Sequence, residues 1–212
     1  MTAAERRAAA AWQTQSLLLG YPDRTLQAQA ALLRRVATTL DEPVGRPLRR
    51  FLDHLTDTPL PELAADYVAT FDHRKRCCLF LTYYAHGDTR KRGMALLSLK
   101  QTYAAAGLRL TDDELPDHLA VVLEYASVRP GDGRAVLVEH RAGLELLRLA
   151  LHDDGSPWAD VLDSVSATLP RLAGDQREAV AKLAAQGPPE EQVGLAPFAP
   201  PEYMPEPQGA TR

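Results

Sequence analysis

The run CLFLTYY, Cys78–Tyr84, decides the fold class. It is rich in strand-forming residue types, and by period alone it fits either a buried strand or a buried helix. A strand needs a partner, and no second run in the chain offers a convincing one. Helical spacing, by contrast, recurs on both sides of it. The run is therefore read as helix and the chain as all-α: a single-domain helical bundle over residues 1–186, followed by a proline-rich tail over 187–212 that is expected to be flexible.

Working outward, the apolar residues fall at intervals of three and four. Leu26, Ala30, Leu33, Ala37 and Leu40 form one stripe, and Leu48, Phe51, Leu52 and Leu55 the next. Leu63, Tyr67 and Phe71 follow, then Leu119, Val122, Leu123 and Ala126. Two more stripes run Val136, His140, Leu144, Leu147, Leu151 and Trp158, Val161, Leu162, Val165, Leu169. Each would turn one face to a shared core. Gly20-Tyr21-Pro22, Pro43, Pro59 and Pro61 mark connections. Thr111 and Glu114 have capping-box spacing, so Asp112, Asp113, Glu114 and Asp117 are read as the acidic start of a helix. Ser156-Pro157 reads as a helix start and Arg129–Gly133 as a loop. After Gly187 the prolines exclude a long helix, leaving Val193, Leu195, Phe198, Tyr203 and Met204 as apolar islands.

Composition narrows the function. The chain has 212 residues and a formal net charge of -4, against the basic balance of a dedicated nucleic-acid binder. The two cysteines, Cys77 and Cys78, are adjacent; they form neither a disulfide framework nor a zinc site, and they suit a reducing cytoplasm. Arg6-Arg7 precedes alanines, but Trp12 to Ser16 interrupt the apolar run, so the start reads as a first helix rather than a signal. No window is long and apolar enough to span a membrane, and no membrane insertion is expected. No metal, phosphate-loop or nucleophile-elbow motif is present.

One stretch departs from ordinary amphipathic helix: LTYYAHGDTRKRGMALL, Leu81–Leu97. Together with Arg74, Lys75 and Arg76, it concentrates positive charge at Arg90, Lys91 and Arg92, relieved only by Asp88. Gly87 can turn the chain sharply, and Asp88-Thr89 can cap a following helix. Gly93, inside that helix, costs about 1 kcal/mol relative to alanine, which suggests that another backbone approaches it closely. The plain reading is two helices joined by a turn with a solvated basic face. A second stretch, Pro116-Asp117-His118, stands before the apolar helix that begins at Leu119, where His118 can titrate near neutral pH.

Three segments carry a resemblance: Tyr67-Val-Ala-Thr-Phe71-Asp72, then Leu81 to Gly93 with its GDTRKRG, then Glu114-Leu-Pro-Asp-His118-Leu. In order and spacing, from about Leu17 to about Leu151, they resemble the nitrate reductase delta-subunit family, a branch of the all-helical redox-enzyme maturation chaperones. GDTRKRG resembles the nitrate-reductase branch, and the Pro-Asp-His segment the wider group. The resemblance implies a non-catalytic assembly chaperone. It implies a client, the nitrate reductase catalytic (alpha) subunit bound through its N-terminal segment and held in the cytoplasm for insertion of the molybdenum cofactor and an iron–sulfur cluster. It also implies cofactor-delivery proteins as further partners, with no cofactor bound permanently. The client-binding residues implied are Tyr67, Phe71, Asp72, Tyr83, Tyr84, His86, Gly87, Asp88, Thr89, Arg90, Arg92, Gly93, Pro116, Asp117 and His118. Of these, Tyr67 and Phe71 equally suit a core stripe. The alternatives are a chaperone of the same fold for another molybdoenzyme, against which GDTRKRG argues, and a small-ligand-binding enzyme using the basic turn.

Overall fold

The computed structural model describes residues 1–111 and 114–186; the tail expectation for 187–212 lies outside the described residues. Within them the regular elements are helices. α1 (Ala3–Leu18), α2 (Arg24–Thr39), α3 (Glu42–Asp57) and α4 (Leu60–Phe71) precede a 3-10 turn at Lys75–Cys77. Then come α5 (Leu81–His86), α6 (Arg90–Ala105), α7 (Leu119–Val128), α8 (Pro130–Glu139), α9 (Arg141–Asp153), α10 (Ala159–Ala167) and α11 (Gly174–Gln186). No strand occurs among the described residues.

The stripes become the core. Leu48, Phe51, Leu52 and Leu55 of α3 are fully buried, and α3 packs between α2 and α10. α1 lies along α7, and α9 along α10 and α11. Trp12 and Trp158 are wholly buried, with their indole N–H groups donating to Thr168 Oγ1 (2.9 Å) and the Leu18 carbonyl (3.2 Å). Buried tryptophans that keep a polar partner avoid the cost of an unmatched donor.

Several local expectations are corrected. CLFLTYY is not helical throughout: Cys78–Phe80 is extended, and helix begins only at Leu81. Its partner is residues 117–119. Phe80 and His118 form an isolated antiparallel bridge, with Leu81 N–H donating to the Asp117 carbonyl (2.9 Å) and Leu119 N–H to the Leu79 carbonyl (2.8 Å). Arg129–Gly133 is not a loop. Pro130 stands at the first position of α8, where its fixed φ suits a helix start, and a side chain at Gly133 would meet Ala126 Cα at 2.2 Å.

The Val136–Leu151 stripe is broken at His140, which ends α8 and starts α9. Glu114 does bond the Thr111 backbone and hydroxyl, but as a turn: helix begins only at Leu119, and Asp112 and Asp113 lie outside the described residues. Ser156-Pro157 likewise precede α10 by a turn.

Candidate functional site

The two motif stretches, 35 residues apart at Thr82 and Asp117, meet across the bridge. Asp117 is fully buried. Its Oδ2 accepts from the Thr82 backbone N–H (3.3 Å) and from the Thr82 hydroxyl. Arg92 Nη2 lies 3.6 Å from the same carboxylate, and Arg92 Nε donates to Thr82 Oγ1 (3.4 Å). The guanidinium also pairs with Asp88 (3.1 Å) and covers the Phe80 ring, 5.5 Å from its centroid. Tyr103 closes the base, its hydroxyl donating to the Pro116 carbonyl (2.7 Å). A buried carboxylate needs such partners, since an unpaired charge there costs several kcal/mol. Asp117 Oδ1 still has no partner among the described residues.

Around this knot, His118 packs edge-on against Phe80, and burial holds its pKa below the ordinary value despite the opposing pull of Asp117. Burial also raises Cys78, and it pushes Cys77 up to about 11, so neither is poised as a thiolate. Among the described residues no cluster of three histidines, cysteines or carboxylates is placed to hold a metal.

The opposite side of α5 is different. Tyr84 is buried, with its hydroxyl within donor reach of the Arg76 (3.0 Å) and Cys78 (2.9 Å) carbonyls, and its ring lies hard against Gly143 of α9. Tyr83 is half-buried and lines a groove of about 510 Å³. The floor is Leu146, Leu149 and Ala150 of α9, one wall is Leu183 and Ala184 of α11, and the rim carries Lys75, Arg76 and Asp153. Leu149 remains 43% exposed.

The remaining implied residues separate. Tyr67 and Phe71 sit in the core against Trp158 (5.6 and 5.5 Å between centroids), and the Tyr67 hydroxyl donates to the Leu19 carbonyl (2.9 Å). Asp72 ends α4 in solvent. His86 is half-buried at the end of α5, and Gly87 takes φ 56° after it, the conformation for which glycine is suited.

The capping expectation fails: Thr89 precedes α6, but its hydroxyl donates back to the His86 carbonyl (2.8 Å), leaving no side-chain cap. Asp88 instead takes Arg92. Gly93 is also corrected, because no backbone approaches it: a side chain there would meet nothing within 4 Å. Arg90 and Lys91 are exposed.

Sequence reasoning missed Thr82, a polar residue inside an apolar run, and the groove floor. For the latter the signal was present, since Leu146 and Leu149 are apolar yet off the stripe of Leu144, Leu147 and Leu151. No helix among the described residues is long and apolar enough to cross a membrane.

Comparisons with known proteins show the chain's family and fold. Residues 37–163 match the family model described as nitrate reductase delta subunit, a span that holds the whole knot. NarJ of Bacillus subtilis (strain 168), described as a nitrate reductase molybdenum cofactor assembly chaperone, is 33% identical over 74% of this chain and 86% of its own. The nitrate reductase-like protein NarX of Mycobacterium tuberculosis (strain ATCC 25618 / H37Rv) is 36% identical over 74% of this chain. The chain spans only 24% of that relative's length. A crystal structure described as a redox enzyme maturation protein from Archaeoglobus fulgidus matches with a TM-score of 0.55 at 19% identity, covering 83% of this chain and 93% of that one. At that identity the likeness speaks to fold alone.

Proposed function

The chain belongs to the nitrate reductase delta subunit family, and on that premise we propose that it is an assembly chaperone for a nitrate reductase, binding the N-terminal segment of the catalytic (alpha) subunit. Its role is not catalytic. It acts in the cytoplasm, keeps the client open for insertion of the molybdenum cofactor and an iron–sulfur cluster, and leaves before the enzyme docks at the membrane. The cofactor is the client's cargo, brought by delivery proteins, and is not a resident group of this chain.

One observation carries the binding reading: a partly exposed apolar groove of about 510 Å³ beside the segment that most resembles the family. Such a groove suits the apolar face of an amphipathic helix, with Tyr83 offering both a ring and a polar tip. Of the implied set, the buried Tyr84 and Asp117 and the half-buried Arg92 act by fixing α5 against α7 and α9, while Tyr83 does the touching. Arg90 is exposed for a client carboxylate. Co-expression with a tagged catalytic subunit should yield a one-to-one complex that is lost when the client's N-terminal segment is deleted. A complex undiminished by that deletion would refute binding through that segment, and capture of a different molybdoenzyme would reassign the client.

A further inference from the structure

We propose that the chain's own segment Leu195–Met204 docks in this groove when no client is bound. The contact stands on its own; it rests on the chaperone reading only for its consequence, that tail and client compete for one surface.

The groove is an apolar surface without a cover among the described residues. Leu149 is 43% exposed there, and Leu146, Tyr83 and Leu183 are half-buried. α11 builds one wall through Leu183 and Ala184 and ends at Gln186, two residues beyond Ala184. Phe198 follows Gln186 by twelve residues, a reach of up to about 40 Å for extended chain. A ligand tethered so near its site acts at a high effective concentration.

The chemistry also matches. Leu195, Phe198, Tyr203 and Met204 are the apolar groups, and Pro197, Pro200 and Pro201 lie between them. Proline-spaced aromatic and aliphatic side chains suit an extended ligand on an aromatic-lined groove, because little conformational freedom is left to lose on docking.

Charge favours the same occupant. The tail carries Glu190, Glu191, Glu202 and Glu206 against Arg212 alone. On the rim, Lys75 is exposed and makes no ion pair among the described residues. Beside it, Arg74 and Arg76 are both held by Asp154, and Asp153 stands at the same edge. Lys75 is thus the cation left for Glu202. The family match ends at residue 163, so the groove floor and Lys75 lie inside the matched region while the α11 wall and the tail lie outside it.

The test uses the full chain with p-benzoyl-phenylalanine in place of Phe198, irradiated after mixing with isotope-labelled copies and mapped by mass spectrometry. Cross-links should fall within one chain, on segments 83–84 and 146–153, and should drop at least fivefold on Leu149→Glu. A tail variant combining Tyr203→Asp and Met204→Asp lies outside the described fold and should show the same drop, which covers the case in which Leu149→Glu does not fold. Cross-links scattered over other helices, or unchanged by either variant, would overturn the proposal. So would cross-links joining labelled to unlabelled chains, which would put a second copy in the groove. The readout needs no client, so its failure and failure of the chaperone reading are separate results.

Discussion

The six residues of α5 separate two unlike neighbourhoods. On one side Thr82 is fully buried and joined to Asp117 and Arg92 in a hydrogen-bonded knot. On the other, Tyr83 opens on a groove whose floor is apolar and partly exposed to solvent. The first side spends its hydrogen bonds on tying two distant stretches of sequence together. The second leaves apolar surface uncovered among the described residues, which marks binding surfaces more than scaffolds. Neighbouring residues of one short motif, Thr82 and Tyr83, therefore divide into one that holds the shape and one that borders the groove.

The comparison breaks first at Asp117. Removing the carboxylate in Asp117→Ala strips Thr82 and Arg92 of their shared acceptor and should cost about 2–4 kcal/mol of folding stability, read by denaturant unfolding. A loss under about 1 kcal/mol would mean the knot is incidental. Next is Gly143→Ala, on the seam between α5 and α9. The added methyl would meet Tyr84 Cβ at 2.8 Å, and such overpacking should cost about 1–3 kcal/mol.

Gly93→Ala goes the other way. With open space around it, the change should stabilise the exposed start of α6 by up to about 1 kcal/mol. A destabilisation would show an approach the fold does not contain.

The smallest effect concerns pH. Burial lowers the His118 pKa below its ordinary 6.5, so the unfolded chain binds that proton more readily than the folded one. The contribution is fully present above about pH 6.5 and is lost as pH falls from there through the folded value. Urea midpoints should drop over that range, and His118→Gln should flatten this part of the profile. An unchanged slope in the variant would assign the acid sensitivity elsewhere.

Much of the scaffold was legible because it depends on local period. The stripes through Leu26–Leu40, Leu48–Leu55 and Trp158–Leu169 are buried as spaced. What the sequence hid depends on contacts between distant segments. CLFLTYY looked partnerless because its partner is three residues around His118, too short to read as a strand. Arg129–Gly133 looked like a loop because glycine and proline usually interrupt helices; here Pro130 begins one, and Gly133 lets Ala126 approach. Gly93 misled in the opposite sense, a glycine in a helix with nothing near it. The groove was half legible. Tyr83 was named, but its floor on α9 needed the observation that Leu146 and Leu149 fall off the buried stripe.

The central claim, that the groove beside Tyr83 receives the client, is tested most directly by titrating a peptide of the nitrate reductase catalytic subunit's N-terminal segment into the purified full chain by calorimetry. The account predicts one-to-one binding that weakens at least tenfold, about 1.4 kcal/mol, on Leu149→Glu, with the unfolding midpoint of that exposed position nearly unchanged. Binding of equal strength to the wild type and to a folded Leu149→Glu variant would contradict it.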